Sequence, residues 1–111
     1  MCGRFARYSL SRELERFFNA QPAAFEIPPN YNVAPTQEIP VIVQLEDARH
    51  IKKRRWGLVP FWAKDISIGA RMINARVETI TSKPAFKAAL KHRRCLIPAN
   101  GFYEWKGKAG N

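Results

Sequence analysis

Hydrophobic residues recur with helical spacing at two places in the chain. From Leu10, apolar side chains follow at i+4, i+7 and i+8, which places one stripe on a helix face: Leu10, Leu14, Phe17 and Phe18. Ser9 or Ser11 is positioned to cap this helix. A second helix is predicted to follow Thr81 or Ser82, with Pro84 in its first turn.

Between and after these helices the pattern changes to that of short strands. Residues 39–45 are rich in β-branched side chains, residues 46–48 supply a turn, and residues 50–58 return as the partner of a hairpin. Alternation of polar and apolar residues and further apolar runs predict three more strands, over 73–78, 95–98 and 101–106. A turn is expected at the end of the chain, over 106–111.

The charge of the chain favours a polyanionic partner. Its 111 residues include 19 Lys and Arg against 9 Asp and Glu, a formal net charge of +10. Such an excess on one small domain points to nucleic acid first and to an anionic membrane surface second. A basic but inert surface is the alternative, and the run 52–55 on a predicted strand suits a solvated sheet edge.

Neither a membrane span nor a signal peptide is predicted. No apolar run approaches the roughly 20 residues that a membrane helix needs, and charged residues interrupt every early apolar stretch. We therefore expect a monomeric cytoplasmic protein without membrane attachment, associated with the nucleoid if its source is bacterial. Two Cys and two His show no zinc-ligand spacing, so we expect neither a metal nor another cofactor.

The residue after the initiator methionine carries distinctive chemistry. Loss of Met1 would leave Cys2 as the N-terminus, with its amine and thiol on adjacent carbons. Such a 1,2-aminothiol condenses with an aldehyde to an imine, and the thiol then closes a five-membered thiazolidine ring. An N-terminal nucleophile can also attack an amide, with its own amine as the base. A cysteine that stands there by chance is the alternative to both.

Other residues strengthen the functional interpretation of this cysteine. Arg4 places a fixed cation two residues away from the thiol. Asn74 and Arg76 are predicted to share one face of a strand, because their spacing is two. Glu104 stands among aromatic neighbours, a setting that suits a carboxyl for general acid–base chemistry. A solvent-facing residue on an alternating strand is the alternative for Glu104.

Taken together, five segments resemble the SOS-response-associated peptidase (SRAP) family, whose members process abasic sites in single-stranded DNA. The matching segments follow the family's order along the whole chain: residues 1–5, 31–36, 56–62, 73–79 and 94–105. The resemblance implies an α+β fold with a strongly bent, barrel-like antiparallel sheet and short flanking helices. It also implies a covalent thiazolidine link between Cys2 and the ring-opened aldehyde of an abasic site.

The resemblance assigns roles to seven residues. Three match catalytic positions: Cys2 as nucleophile, Asn74 as the side chain that orients it, and Glu104 as the acid–base group. Four match DNA-binding positions: Arg4 and Arg76 as phosphate contacts, Trp62 as a wedge between bases, and Asn32 in a loop that lines the pocket.

The resemblance also implies that the chain is the N-terminal part of a longer SRAP-like domain. The family has a catalytic histidine in a His-Asp-Arg motif of its second half, and this chain ends before that motif. Neither His50 nor His92 lies in such a motif, so neither takes this role. Residues 1–111 are therefore expected to form a single, truncated domain.

Three hypotheses for function follow. The first is an abasic-site sensor that crosslinks itself to single-stranded DNA in an SOS-type damage response, with a lyase-type activity. The second is a cysteine-type peptidase, a hydrolase acting on its own leader or on other peptides through Cys2 and Glu104. The third is a single-stranded DNA-binding module that makes no bond and holds the strand through Arg4, Arg76 and Trp62.

Overall fold

Short strands and helices alternate along residues 2–107, the part of the chain that the computed structural model describes. The elements are β1 Phe5–Arg7, α1 Ser11–Phe18, β2 Asn30–Val33, β3 Glu38–Leu45, β4 Ala48–Arg55, a 3-10 helix Ile66–Arg71, α2 Pro84–His92 and β5 Gly101–Phe102. No helix within these residues is long and apolar enough to cross a membrane. The turn predicted at the end of the chain lies largely outside the described residues.

The strands form two antiparallel sheets. In the first, β1 lies between β2 and β5, and Phe5 stands opposite both Val33 and Phe102. The second is the β3–β4 hairpin, whose regular register runs from the Glu38–Arg55 pair to the turn after Leu45. The α+β class with antiparallel strands is thereby confirmed. Within residues 2–107 the two sheets do not close into a barrel.

Strand β3 contributes to both hydrophobic cores because its side chains alternate between two faces. Ile39 and Val41 pack with Phe5, Val33 and Trp56 in the first core. On the other face lies the second core, which joins β3, β4, α1 and the loop after it: Leu14, Ile27, Ile42 and Ile51. The hairpin therefore holds the first sheet on one side and α1 on the other.

The start of α1 differs from the prediction. The helix begins at Ser11 with Leu10 as its N-cap, and the Leu10 N–H donates to the Glu13 carboxylate at 2.8 Å. Ser9 lies one residue before the cap, and its hydroxyl accepts a hydrogen bond from the Asn100 side chain at 2.9 Å. Only Leu14 of the predicted stripe is buried, and Phe17 is 82% exposed.

Strands and caps predicted in the second half of the chain are largely wrong. Residues 73–78 form an irregular segment that enters a turn, since the N–H groups of Thr79 and Ile80 both donate to the carbonyl of Arg76. The strand predicted over 95–98 is reduced to one bridge, between Leu96 and Ile42. The second helix begins at Pro84 with Lys83 as its cap, because the predicted caps lie in the preceding turn.

Candidate active site beside an arginine-bearing cleft

Cys2 is held by a side chain from a distant part of the chain. The Asn74 amide Nδ2 donates to the Cys2 carbonyl at 2.8 Å. Cys2 is partly buried against the first core, and its thiol makes a weak hydrogen bond to the Arg4 carbonyl at 3.6 Å. These contacts fix the backbone of the residue that the sequence predicts as the nucleophile.

Two hydrogen bonds after β4 place the segment that carries Asn74. The buried Trp56 donates its indole N–H to the Ile73 carbonyl at 3.0 Å, and the Leu58 N–H donates to the Met72 carbonyl at 2.9 Å. Residues 72 and 73 are therefore tied to the end of the hairpin. Asn74 follows directly, at the position where its amide meets Cys2.

Two glycines make this arrangement possible. Gly57 has a backbone φ of +128°, which residues with a side chain rarely adopt. A Cβ at this position would overlap the carbonyl of Gly69. A Cβ at Gly69 would lie 3.1 Å from the Gly57 carbonyl oxygen. The backbone after β4 and the 3-10 helix thus approach each other so closely that a side chain is excluded at Gly57 and crowded at Gly69.

Replacing Gly57 by Ala is therefore expected to be strongly destabilising. The positive φ and the overlap with backbone together should lower the free energy of unfolding by about 2–5 kcal/mol. Gly101→Ala is the matched control, since nothing lies within 4 Å of its added Cβ, and its effect should stay below about 0.5 kcal/mol. Urea unfolding of both variants measures the difference, and equal midpoints would contradict this account of the close approach.

A cleft of about 870 Å³ opens at Gly3 and Arg4, the two residues that follow Cys2 in the chain. It is lined by residues of three segments: Gly3, Arg4, Tyr31, Asn32, Tyr103, Glu104 and Trp105. The Arg4 guanidinium donates to the Asn32 side-chain oxygen at 3.2 Å, and the Asn32 N–H donates to Asn30 at 2.9 Å. Asn32 therefore holds Arg4 at the cleft without neutralising its charge.

Backbone pairing after β5 brings Glu104 to the same cleft. The Tyr103 N–H donates to the Arg4 carbonyl at 3.0 Å, and the Tyr103 hydroxyl donates to the Tyr31 carbonyl at 2.6 Å. Glu104 follows at the next position and is exposed. Tyr103 and Trp105, its neighbours in sequence, also line the cleft, but they do not bury Glu104.

Four of the predicted site residues are not among those that line this cleft in the structure of residues 2–107: Cys2 and Asn74, which contact each other, and Arg76 and Trp62. Arg76 is exposed at the start of a turn, so the prediction that it shares a strand face with Asn74 is wrong. Trp62 is 50% exposed and packs edge-on against Phe61, with their ring centroids 5.1 Å apart. Their roles in DNA binding stay predictions.

Sequence reasoning missed the tyrosines of the cleft. Tyr31 and Tyr103 lie beside Asn32 and Glu104 within segments that carry the family resemblance. Their place within these segments was the available signal. Hydrophobic periodicity and amino-acid composition alone assign no role to an exposed tyrosine. The missing information was the pairing of β1 with both β2 and β5, which brings the two tyrosines together.

The second thiol of the chain lies elsewhere. Cys95 precedes the bridge residue Leu96 and is not among the residues that line the cleft. Desolvation raises the pKa of the Cys95 thiol, and the nearby Arg54 acts in the opposite direction. A raised pKa leaves less of the nucleophilic thiolate at neutral pH, so Cys95 is the weaker candidate for covalent chemistry.

Fold and site together define a small antiparallel α+β domain that holds a cysteine near its N-terminus beside an arginine-bearing cleft. The sequence model of the family described as "SOS response associated peptidase (SRAP)" matches residues 1–111. The chain therefore belongs to the SRAP family, and the resemblance stated from its motifs is confirmed.

Similar proteins support the assignment of the chain to this family. The chain is 50% identical over 112 residues to "Abasic site processing protein YoaM" of Bacillus subtilis, covering 96% of this chain and 48% of that protein. It is 41% identical over 90 residues to "Abasic site processing protein HMCES" of Rattus norvegicus, covering 70% of this chain and 26% of that protein. The chain thus spans about half the length of the bacterial relative.

A solved structure supports the fold. A crystal structure of a protein from Bordetella bronchiseptica superposes with a TM-score of 0.74 at 24% identity, over 93% of this chain and 50% of that one. Likeness at this level of identity concerns the fold alone.

Proposed function

We propose that this chain processes abasic sites in single-stranded DNA by forming a covalent crosslink through Cys2 after loss of Met1. The observation that carries the proposal is the hydrogen bond from Asn74 to the Cys2 carbonyl, which fixes the proposed nucleophile directly before Gly3 and Arg4, where the cleft begins. The names of the relatives support the substrate. We place this activity in a DNA-damage response of the SOS type, in the cytoplasm or at the nucleoid.

The proposed reaction joins an aminothiol to an aldehyde with loss of one water. The Cys2 amine attacks C1′ of the ring-opened abasic sugar, and the aldehyde oxygen leaves as water to give an imine. The thiol sulfur then adds to C1′, and its proton passes to the imine nitrogen as the thiazolidine closes. Glu104, at the same cleft, is proposed to give and take the protons of sugar opening and imine formation.

Charge supports DNA as the partner. Arg4 is exposed in the cleft, and its planar guanidinium suits a phosphate oxygen. The net charge of +10 attracts a polyanion over a longer range. We propose that Asn32 keeps Arg4 in place through their 3.2 Å hydrogen bond. Arg76 and Trp62 are proposed to meet the strand outside the cleft.

The test is an intact-mass measurement on the protein mixed with a single-stranded oligonucleotide that carries one abasic site. The expected product has the mass of both molecules less one water and survives heat and detergent. An oligonucleotide whose abasic aldehyde has been reduced to an alcohol is the matched control and should give no adduct. An adduct with the reduced oligonucleotide, or none with the natural site, would overturn the proposal.

A further inference from the structure

Three exposed tyrosines lie together at the cleft. Tyr31 and Tyr103 belong to its lining, and the ring of Tyr8 stacks on that of Tyr31, with centroids 5.3 Å apart and planes inclined by 18°. Their exposed fractions are 46% for Tyr8, 63% for Tyr31 and 52% for Tyr103. We name these three residues the tyrosine platform. None of them has a role in the proposed crosslinking reaction.

The platform is held in place by hydrogen bonds to the first sheet and the residues beside it. The Tyr103 hydroxyl donates to the Tyr31 carbonyl at 2.6 Å, and the Tyr103 N–H donates to the Arg4 carbonyl at 3.0 Å. The Tyr8 N–H donates to the side-chain oxygen of Asn100 at 2.7 Å. Rings that are already ordered lose little conformational entropy when a ligand stacks on them.

We propose that the tyrosine platform stacks an unpaired nucleobase next to the abasic nucleotide. This inference rests on the proposed function, since it takes the strand in the cleft to be single-stranded DNA. Arg4 lies beside the platform and provides the cation for the phosphate of the nucleotide whose base is stacked. Aromatic rings beside a cation that tracks the backbone are the combination by which proteins bind single strands without sequence preference.

Stacking on the platform predicts a preference for single strands. Every base has a π-face, so stacking on tyrosine tolerates any sequence. In a duplex, the bases beside an abasic site stay paired and stacked within the helix. Binding to the platform would then require a base to leave the stack, which costs free energy. We therefore expect tighter binding to single-stranded than to double-stranded DNA with the same abasic site.

The experiment uses two single-stranded oligonucleotides, with 2-aminopurine on the 5′ or on the 3′ side of a tetrahydrofuran abasic analogue, which has no aldehyde and cannot crosslink. Binding of the unchanged protein should quench 2-aminopurine fluorescence, because the base stacks on the platform. Tyr31→Leu should abolish this quenching and weaken binding about 5- to 100-fold. Tyr31→Phe keeps the ring and should behave like the unchanged protein.

Salt dependence separates stacking from charge. Tyr31→Leu should leave the slope of log affinity against log salt unchanged, whereas Arg4→Gln should reduce it by about 0.7 and keep the quenching at saturation. Phe17→Leu removes an aromatic ring that is 82% exposed on α1 and lies outside the cleft lining. This control should alter neither the salt dependence of binding nor the quenching of 2-aminopurine.

Several outcomes would overturn the inference. Full quenching by Tyr31→Leu on both sides of the abasic analogue would refute stacking on the platform. If Tyr31→Leu changed the sedimentation coefficient of the protein and left its DNA affinity unchanged, the platform would be assigned to contact with a second copy of the chain instead. Protein that quenches but forms no adduct with a natural abasic site would refute the proposed function and support stacking. Crosslinking without Tyr31-dependent quenching would refute stacking alone.

Discussion

Cys2→Ser protein is expected to give no stable adduct with abasic single-stranded DNA. Serine keeps the amine and therefore still forms an imine, but its oxygen closes a far weaker ring that water reopens. The contacts that place the residue are retained, since Asn74 binds the Cys2 backbone carbonyl and not the side chain. Intact-mass measurement after denaturation would find the free protein and the free oligonucleotide.

Cys95→Ser is the matched control, because it removes the second thiol of the chain and leaves Cys2 unchanged. Its adduct should form at the rate of the unchanged protein. A heat-stable adduct in Cys2→Ser that disappears in Cys95→Ser would transfer the chemistry to the other thiol. An N-terminal extension that blocks the Cys2 amine should also abolish the adduct, since the ring needs both groups.

A third variant, Cys2→Ala, distinguishes the alternative functions. A binding module that makes no bond predicts no adduct for any protein and equal DNA affinity for Cys2→Ala. A peptidase predicts that Cys2→Ala loses cleavage of peptides, while abasic DNA gives no covalent product. Only the crosslinking function predicts a Cys2-dependent adduct that requires an aldehyde on the DNA.

Local patterns predicted the elements whose contacts are local. The β3–β4 hairpin follows from an apolar run, a turn and a returning strand, and its ladder pairs residues that are near in sequence. Motif resemblance pointed to Arg4, Asn32 and Glu104, which the structure brings to one cleft. Their functional roles stay predictions.

Elements that depend on distant partners could not be predicted. The alternation in residues 73–78 says which side chains could share a face, but a strand also needs a neighbour to complete its hydrogen bonds. Within residues 2–107 this segment is instead fixed by the Trp56 indole and by the close approach of Gly57 and Gly69. Neither contact has a periodic signature, so Arg76 was placed on the wrong kind of element.

Glu104→Gln is expected to slow crosslinking about 10²–10⁴-fold, the usual contribution of a general acid–base group. Opening of the sugar and formation of the imine both move protons, and Glu104 lines the cleft that begins at the residue after Cys2. Glutamine keeps the shape of the side chain and its capacity for hydrogen bonds but cannot exchange a proton. Affinity for DNA should change little, because Arg4 is the proposed phosphate contact at this cleft.

The measurement is single-turnover crosslinking at several pH values, together with equilibrium binding to the tetrahydrofuran analogue. Glu38→Gln removes the same charge from an exposed position on β3 and is the control for the change in net charge. Its rate should match that of the unchanged protein. A slower rate for Glu104→Gln alone, at equal affinity, assigns the carboxyl to the chemical step. Lost affinity at an unchanged rate would make Glu104 a positioning residue, since the proton transfers would then proceed without it.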